Sequence, residues 1–60
     1  CGARALAYLV GGPESVLAVM TFPAPTRIIP PGAAVTMDYS ADRLNILIDD
    51  KGLIDRVNCG

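Results

Sequence analysis

A cysteine stands near each end of this chain, Cys1 and Cys59, and no other cysteine lies in its sixty residues. A domain that short buries only about 60% of the surface its unfolded chain exposes, so it needs a staple beyond its core. A bond between the two cysteines would close nearly the whole chain. On a loop-closure argument it would remove unfolded-state entropy worth roughly 4 kcal/mol, comparable to the entire stability of a small domain. Two cysteines placed this way point to a disulfide made in an oxidising compartment, against the plainer alternative of two unrelated free thiols. With no histidine and no further cysteine, there is no tetrahedral metal set to expect. A chain opening on Cys1 is expected to be a processed or trimmed product.

About half the residues are apolar and 18% are charged, a globular balance. Aromatic residues are scarce, so the core must be aliphatic, drawn from Leu6, Leu9, Val10, Val16, Leu17, Val19, Met20, Ile28, Ile29, Leu44, Ile46, Ile48, Ile54 and Val57. The basic residues Arg4, Arg27, Arg43, Lys51 and Arg56 are scattered and the net charge is −1. That argues against a nucleic-acid partner, which demands a clustered basic footprint. No apolar run reaches the ~20 residues of a membrane span, and the first ten residues lack the basic start of a secretory signal.

Ala3, Leu6, Ala7 and Val10 fall at i, i+3, i+4 and i+7, which predicts a short helix ended by Gly11-Gly12. A second, longer helix is expected to start with Pro13 at its first position and Glu14 at the positive end of its dipole, with Val16 to Met20 facing the core. Phe22-Pro-Ala-Pro25 forbids more helix and feeds an extended segment, Thr26 to Ile29. After Pro30-Pro31-Gly32, where Gly32 frees the backbone to turn out of its strand, the next patterned run is Leu44 to Ile48. Asp49-Asp-Lys-Gly52 reads as a turn with positive φ available at Gly52, so Leu44 to Ile48 and Ile54 to Asn58 should form an antiparallel hairpin. Ile54 and Val57 break strict alternation, which predicts a bulge or an end-of-strand twist between them. The whole is expected to be a single α+β domain over residues 1–60, one short and one longer helix on a small mixed β-sheet, with a long projecting loop over 30–42.

Catalysis is the weak reading, because a nucleophile needs an adjacent base and the only serines, Ser15 and Ser40, have no histidine to serve them. Asp49 and Asp50 sit in a turn that favours Asp for local bonding, and Asp38 with Asp42 has no acid–base partner in sight. Within the 30–42 loop, Val35, Met37 and Tyr39 alternate. Serine proteases bind peptide in that way, as an added strand held by main-chain hydrogen bonds with alternate side chains in pockets. Period two equally permits those three side chains to form the buried face of a strand.

Val35-Thr-Met-Asp-Tyr39 followed by Asp42-Arg-Leu44 resembles the reactive loop and supporting strand of potato inhibitor I and its relatives, the eglins and the cereal chymotrypsin inhibitors. Leu9-Val-Gly-Gly-Pro-Glu-Ser-Val16 resembles the entry to that family's helix, and Ile54-Asp-Arg-Val57 its last strand. Closer still is the microbial serine peptidase inhibitor family of the fungal elastase inhibitor type, with its Cys-Gly start, Asp-Arg-Leu-Asn strand and Cys-Gly end, here Cys1-Gly2, Asp42 to Asn45 and Cys59-Gly60. The resemblance covers nearly the whole chain.

It implies a non-enzymatic, reversible, substrate-like inhibitor of serine endopeptidases of subtilisin, chymotrypsin or elastase specificity, acting as a monomer without a cofactor. Met37 and Asp38 would flank the reactive bond, and Val35, Thr36, Met37, Asp38 and Tyr39 would contact the protease. Arg43 would bond loop carbonyls and pair with Asp38; the plainer reading makes Asp42-Arg43 an ordinary surface charge pair. Asn45 stands where the plant and leech relatives carry a second Arg, and its amide is shorter and uncharged. A secreted or periplasmic location is expected, with a lipid-anchored precursor as a variant. The rival is a non-inhibitory scaffold or interaction domain of the cell envelope, marked by a buried Met37 or by a loop without contacts from Arg43 and Asn45.

Overall fold

The computed structural model describes residues 1–22, 25–33 and 38–60. The expectations for Val35, Thr36 and Met37, and for Pro23 as a helix breaker, lie outside the described residues, as does the projection of the loop they belong to.

Among the described residues, three strands make one sheet in the order β1-β2-β3, with β1 at Thr26–Ile29, β2 at Leu44–Ile48 and β3 at Ile54–Cys59. β1 runs parallel to β2, and β3 antiparallel to it, so the sheet is mixed as expected. Leu44, Ile46 and Ile48 alternate into the core, and Leu44 and Ile46 are wholly buried. The broken alternation in β3 is a bulge: Leu47 pairs with Arg56 and Ile48 with Ile54, leaving Asp55 unmatched. That slip returns Ile54 to the core face, where Val57 packs opposite Ile46. The hairpin turn is built by Asp49, whose Oδ1 accepts the N–H groups of Lys51 and Leu53, both at 2.9 Å. Gly52 takes φ 78° there, a conformation that costs a side-chain-bearing residue dearly.

Both helices differ from expectation. They span Arg4–Leu9 and Glu14–Val19, six residues each, and both are 3₁₀ helices; the second is not longer than the first. A 3₁₀ helix repeats every three residues, so the inward face of the first is Ala3, Leu6 and Leu9, while Ala7 and Val10 are exposed. In the second, Val16, Leu17 and Met20 pack on the core and Val19 points out, 86% exposed. Pro13 caps this helix from outside with extended ψ of 145° rather than opening it. Ile28 is exposed on the edge strand, and Ile29 lies on the opposite sheet face beside Leu47, so neither joins the core.

The joint between the helices is pinned to the sheet. Gly11 donates to the Ile54 carbonyl and Ile54 donates back to the Gly12 carbonyl, each at 2.8 Å, and Glu14 donates to the Gly52 carbonyl at 2.9 Å. Three hydrogen bonds thus lock the Gly11–Glu14 strap onto Gly52 and the first residue of β3. The chain's ends close as a disulfide between Cys1 and Cys59, with Cα atoms 5.8 Å apart. That separation lies within the usual range for an unforced bridge.

Candidate functional site

The 30–42 segment leaves β1 through a turn in which Ala33 donates to the Pro30 carbonyl at 3.2 Å and Gly32 takes φ 77°. Positive φ at the third residue, after a proline at the second, is the pattern of a type II turn. It re-enters the sheet through another turn, Arg43 N–H to the Ser40 carbonyl at 3.0 Å, immediately before β2. The chain therefore departs from one strand and returns beside it, with Asp38 and Tyr39 near the returning end.

Arg43 braces that end. Its Nη2 donates to the Asp38 carbonyl oxygen at 2.7 Å and its Nη1 to the Asp38 carboxylate Oδ2 at 3.2 Å. Its Nε donates to the Gly60 carbonyl at 2.8 Å. The guanidinium plane is thus used on two sides at once, toward the loop and toward the C-terminal segment. Only 15% of its side chain is exposed. The bond to Gly60 is partly buried and the two to Asp38 are exposed; with an ionised donor, each is stronger than a bond between neutral groups.

Asn45 sits one position along β2 from Leu44 and opposite Asn58 in β3. Its amide donates to the Gly60 carbonyl at 3.1 Å and to Asn58 Oδ1 at 3.2 Å. Its own Oδ1 is buried without a hydrogen bond among the described residues. Gly60 is therefore a hub: its carbonyl receives both Arg43 and Asn45, and its N–H donates to the Arg43 carbonyl at 2.9 Å. The Tyr39 ring, 76% exposed overall, lies against it. A Cβ at position 60 would stand 3.7 Å from that ring and 3.3 Å from the Asn45 amide nitrogen.

Sequence reasoning missed two members of this group. Arg27, on β1 in register with Asn45, brings its Nη2 to 4.0 Å from Asp38 Oδ1, so Asp38 lies between two guanidinium groups. Gly60 enters the sequence reading only as part of a terminal Cys-Gly motif. Alternation along β1 could have set Arg27 on a different sheet face from Ile28; its reach to Asp38 depends on a parallel register that no local pattern encodes. Arg27, Ile29, Asp38, Arg43, Asn45 and Asn58 line one open cleft on the sheet face away from the helices.

A strand-flanked segment braced by an arginine, on a disulfide-closed scaffold, is the form expected from the resemblance above. The sequence profile described as the peptidase inhibitor I78 family matches residues 1–60. The chain belongs to the peptidase inhibitor I78 family. Among solved structures it is similar to the elastase inhibitor AFUEI of Aspergillus fumigatus, in its second crystal form. The two are 31% identical and align with a TM-score of 0.70, over 97% of this chain and 88% of that chain. No curated protein matches the chain. Membership in the I78 family makes it a peptidase inhibitor rather than an enzyme. The bridged cysteines fit an extracellular setting.

Proposed function

We propose that this domain is a reversible, tight-binding, substrate-like inhibitor of serine endopeptidases of subtilisin, chymotrypsin or elastase specificity. It presents the Met37–Asp38 bond on the 30–42 loop, with Val35, Thr36 and Tyr39 completing the contact. The observation that carries the reading is the Arg43 brace on the Asp38 carbonyl and carboxylate. The non-inhibitory scaffold is marked by a loop without such contacts. The similarity to an elastase inhibitor supports the target class.

Affinity follows from rigidity. Binding energy that a flexible peptide loses in becoming ordered is retained by a loop already held in shape, and a cut but undisplaced loop stays aligned for rejoining. Arg43 does the holding directly. Asn45 acts through Gly60, fixing the carbonyl on which the Arg43 Nε rests. Met37 supplies an unbranched apolar side chain worth about 2 kcal/mol or more on burial in an apolar pocket.

Titration of subtilisin, chymotrypsin and elastase with the purified domain should show stoichiometric loss of activity of at least one. No inhibition of any of them at micromolar protein would remove the proposal. Met37→Lys should weaken inhibition of these enzymes about 30-fold, the factor that about 2 kcal/mol represents, and create inhibition of trypsin. An unchanged profile would mean that another residue enters the pocket.

A further inference from the structure

A cut between Met37 and Asp38 divides the molecule into residues 1–37 and 38–60. Arg43, Asn45 and Gly60 all lie on the same side of that cut as Asp38, so they order the new amino terminus only within its own fragment. Arg27 lies on the other side. From β1 its Nη2 approaches Asp38 Oδ1 at 4.0 Å while Arg43 Nη1 holds Oδ2 at 3.2 Å, so the carboxylate is shared between the fragments. We propose that Arg27 is a positioning residue that favours resynthesis of the cut bond, by tying the residue that bears the leaving amine to the fragment that bears the acyl group. The inference rests on Met37–Asp38 being the reactive bond.

The chemistry defines what such a tie must do. In the cut, the protease's serine oxygen bonds to the Met37 carbonyl carbon, the C–N bond to Asp38 breaks, and the amine leaves with a proton from the enzyme's general acid. In the reverse step the Asp38 amine returns that proton to the general base and its lone pair attacks the same carbon. The C–O bond to serine then breaks and serine regains its proton. Water attack on the ester frees serine and leaves the Met37 carboxyl group; the reverse of that step, serine attacking the carboxyl carbon with loss of water, returns cut chain to the acyl-enzyme. At equilibrium the ratio of cut to intact chain depends on how closely the amine is kept beside that carbon once the bond is open, which is a matter of effective concentration rather than of any new reagent. Pairing of β1 with β2 sets the gross distance between the fragments. The Arg27 charge acts on the very residue whose nitrogen must return.

The Arg27 side chain is 29% exposed and that of Asp38 61% exposed, so the contact is a screened charge interaction and its effect must be modest. Native, Arg27→Ala and Arg27→Lys proteins are each incubated with catalytic subtilisin, starting from intact and from pre-cut inhibitor, until the two approaches converge. Mass spectrometry locates the cut and reads the ratio of cut to intact chain. Arg27→Ala should raise that ratio about two- to fivefold, the range an exposed ion pair supports. Arg27→Lys, which keeps the charge, should return most of the way. In about 1 M salt, where the screening length is about 3 Å, the difference between native and Ala proteins should vanish. An Ala ratio equal to the native one overturns the proposal. So does a raised ratio that persists in high salt and in the Lys variant, since that marks a loss of shape rather than of charge. A cut at some bond other than Met37–Asp38 overturns both this inference and the reading on which it rests; a cut there with an unmoved ratio overturns this one alone.

Discussion

Among the described residues, one side chain donates three of the five side-chain hydrogen bonds by which Arg43 and Asn45 hold Asp38, Asn58 and Gly60. Arg43 makes three hydrogen bonds, two to Asp38 and one to Gly60, and bonds to charged groups are worth about 1.5–3 kcal/mol each when well formed. Arg43→Ala should therefore weaken inhibition about 10- to 100-fold, measured as the inhibition constant against whichever enzyme binds the native domain best. Arg43→Lys should recover only part of that loss, because an ammonium is a single point charge and cannot reach Asp38 and Gly60 with separate nitrogens. A Lys variant as potent as the native domain would show that the fork is not what matters. Gly60 works through closeness. With the Asn45 amide nitrogen 3.3 Å from where a Cβ would stand, a methyl group requires that amide to give by a few tenths of an ångström, while the Tyr39 ring at 3.7 Å would be in ordinary contact with it.

The short helices teach a lesson about period. Leu9 is buried and three residues after Leu6, whereas Val10, which a 3.6-residue repeat would turn inward, is 48% exposed. Leu9→Ala should cost about 2–5 kcal/mol of stability, and Val10→Ser should change it by less than about 0.5 kcal/mol, in urea unfolding followed by circular dichroism. A reversed order would return the first helix to the α geometry expected from sequence. The strands were legible because alternation is strict in Leu44 to Ile48, because Gly52 announces a turn, and because the Ile54–Val57 spacing announces an irregularity, a bulge or an end-of-strand twist, of which the pairing shows the bulge. The helices were not, since runs of six residues carry too few apolar positions to tell a repeat of 3.0 from one of 3.6, and the Gly11–Glu14 strap that anchors them bonds to residues some forty positions away. The site divides too. The meeting of Arg43 with Asp38 was implied by the family resemblance, whereas Arg27 and Gly60 reach the site only through sheet pairing.

At the scale of the whole molecule, the disulfide and the loop belong to one device. The Cys1–Cys59 bridge sits one residue from Gly60, so the covalent closure of the chain ends beside the hub on which Arg43 and Asn45 rest. It also joins the two parts that a cut between Met37 and Asp38 would create, since Cys1 lies in one and Cys59 in the other. The loop-closure argument gives the bridge roughly 4 kcal/mol, and for a domain of this size each kcal/mol moves the thermal midpoint by about 4–8 °C. Reduction, or Cys1→Ser with Cys59→Ser, should therefore lower the midpoint by roughly 15–30 °C, read by thermal unfolding. The sharper test uses cut protein. Oxidised, it should remain a single species heavier than the intact chain by one water and should regain intact chain on incubation with catalytic protease. Reduced, the fragments are held by sheet pairing, the small core and the screened Arg27–Asp38 contact, without a covalent link; as they separate, their effective concentration falls to that of free partners, and rejoining should fail. Should reduced, cut protein rejoin as well as oxidised, the sheet alone would hold the halves together, and the bridge would serve stability only.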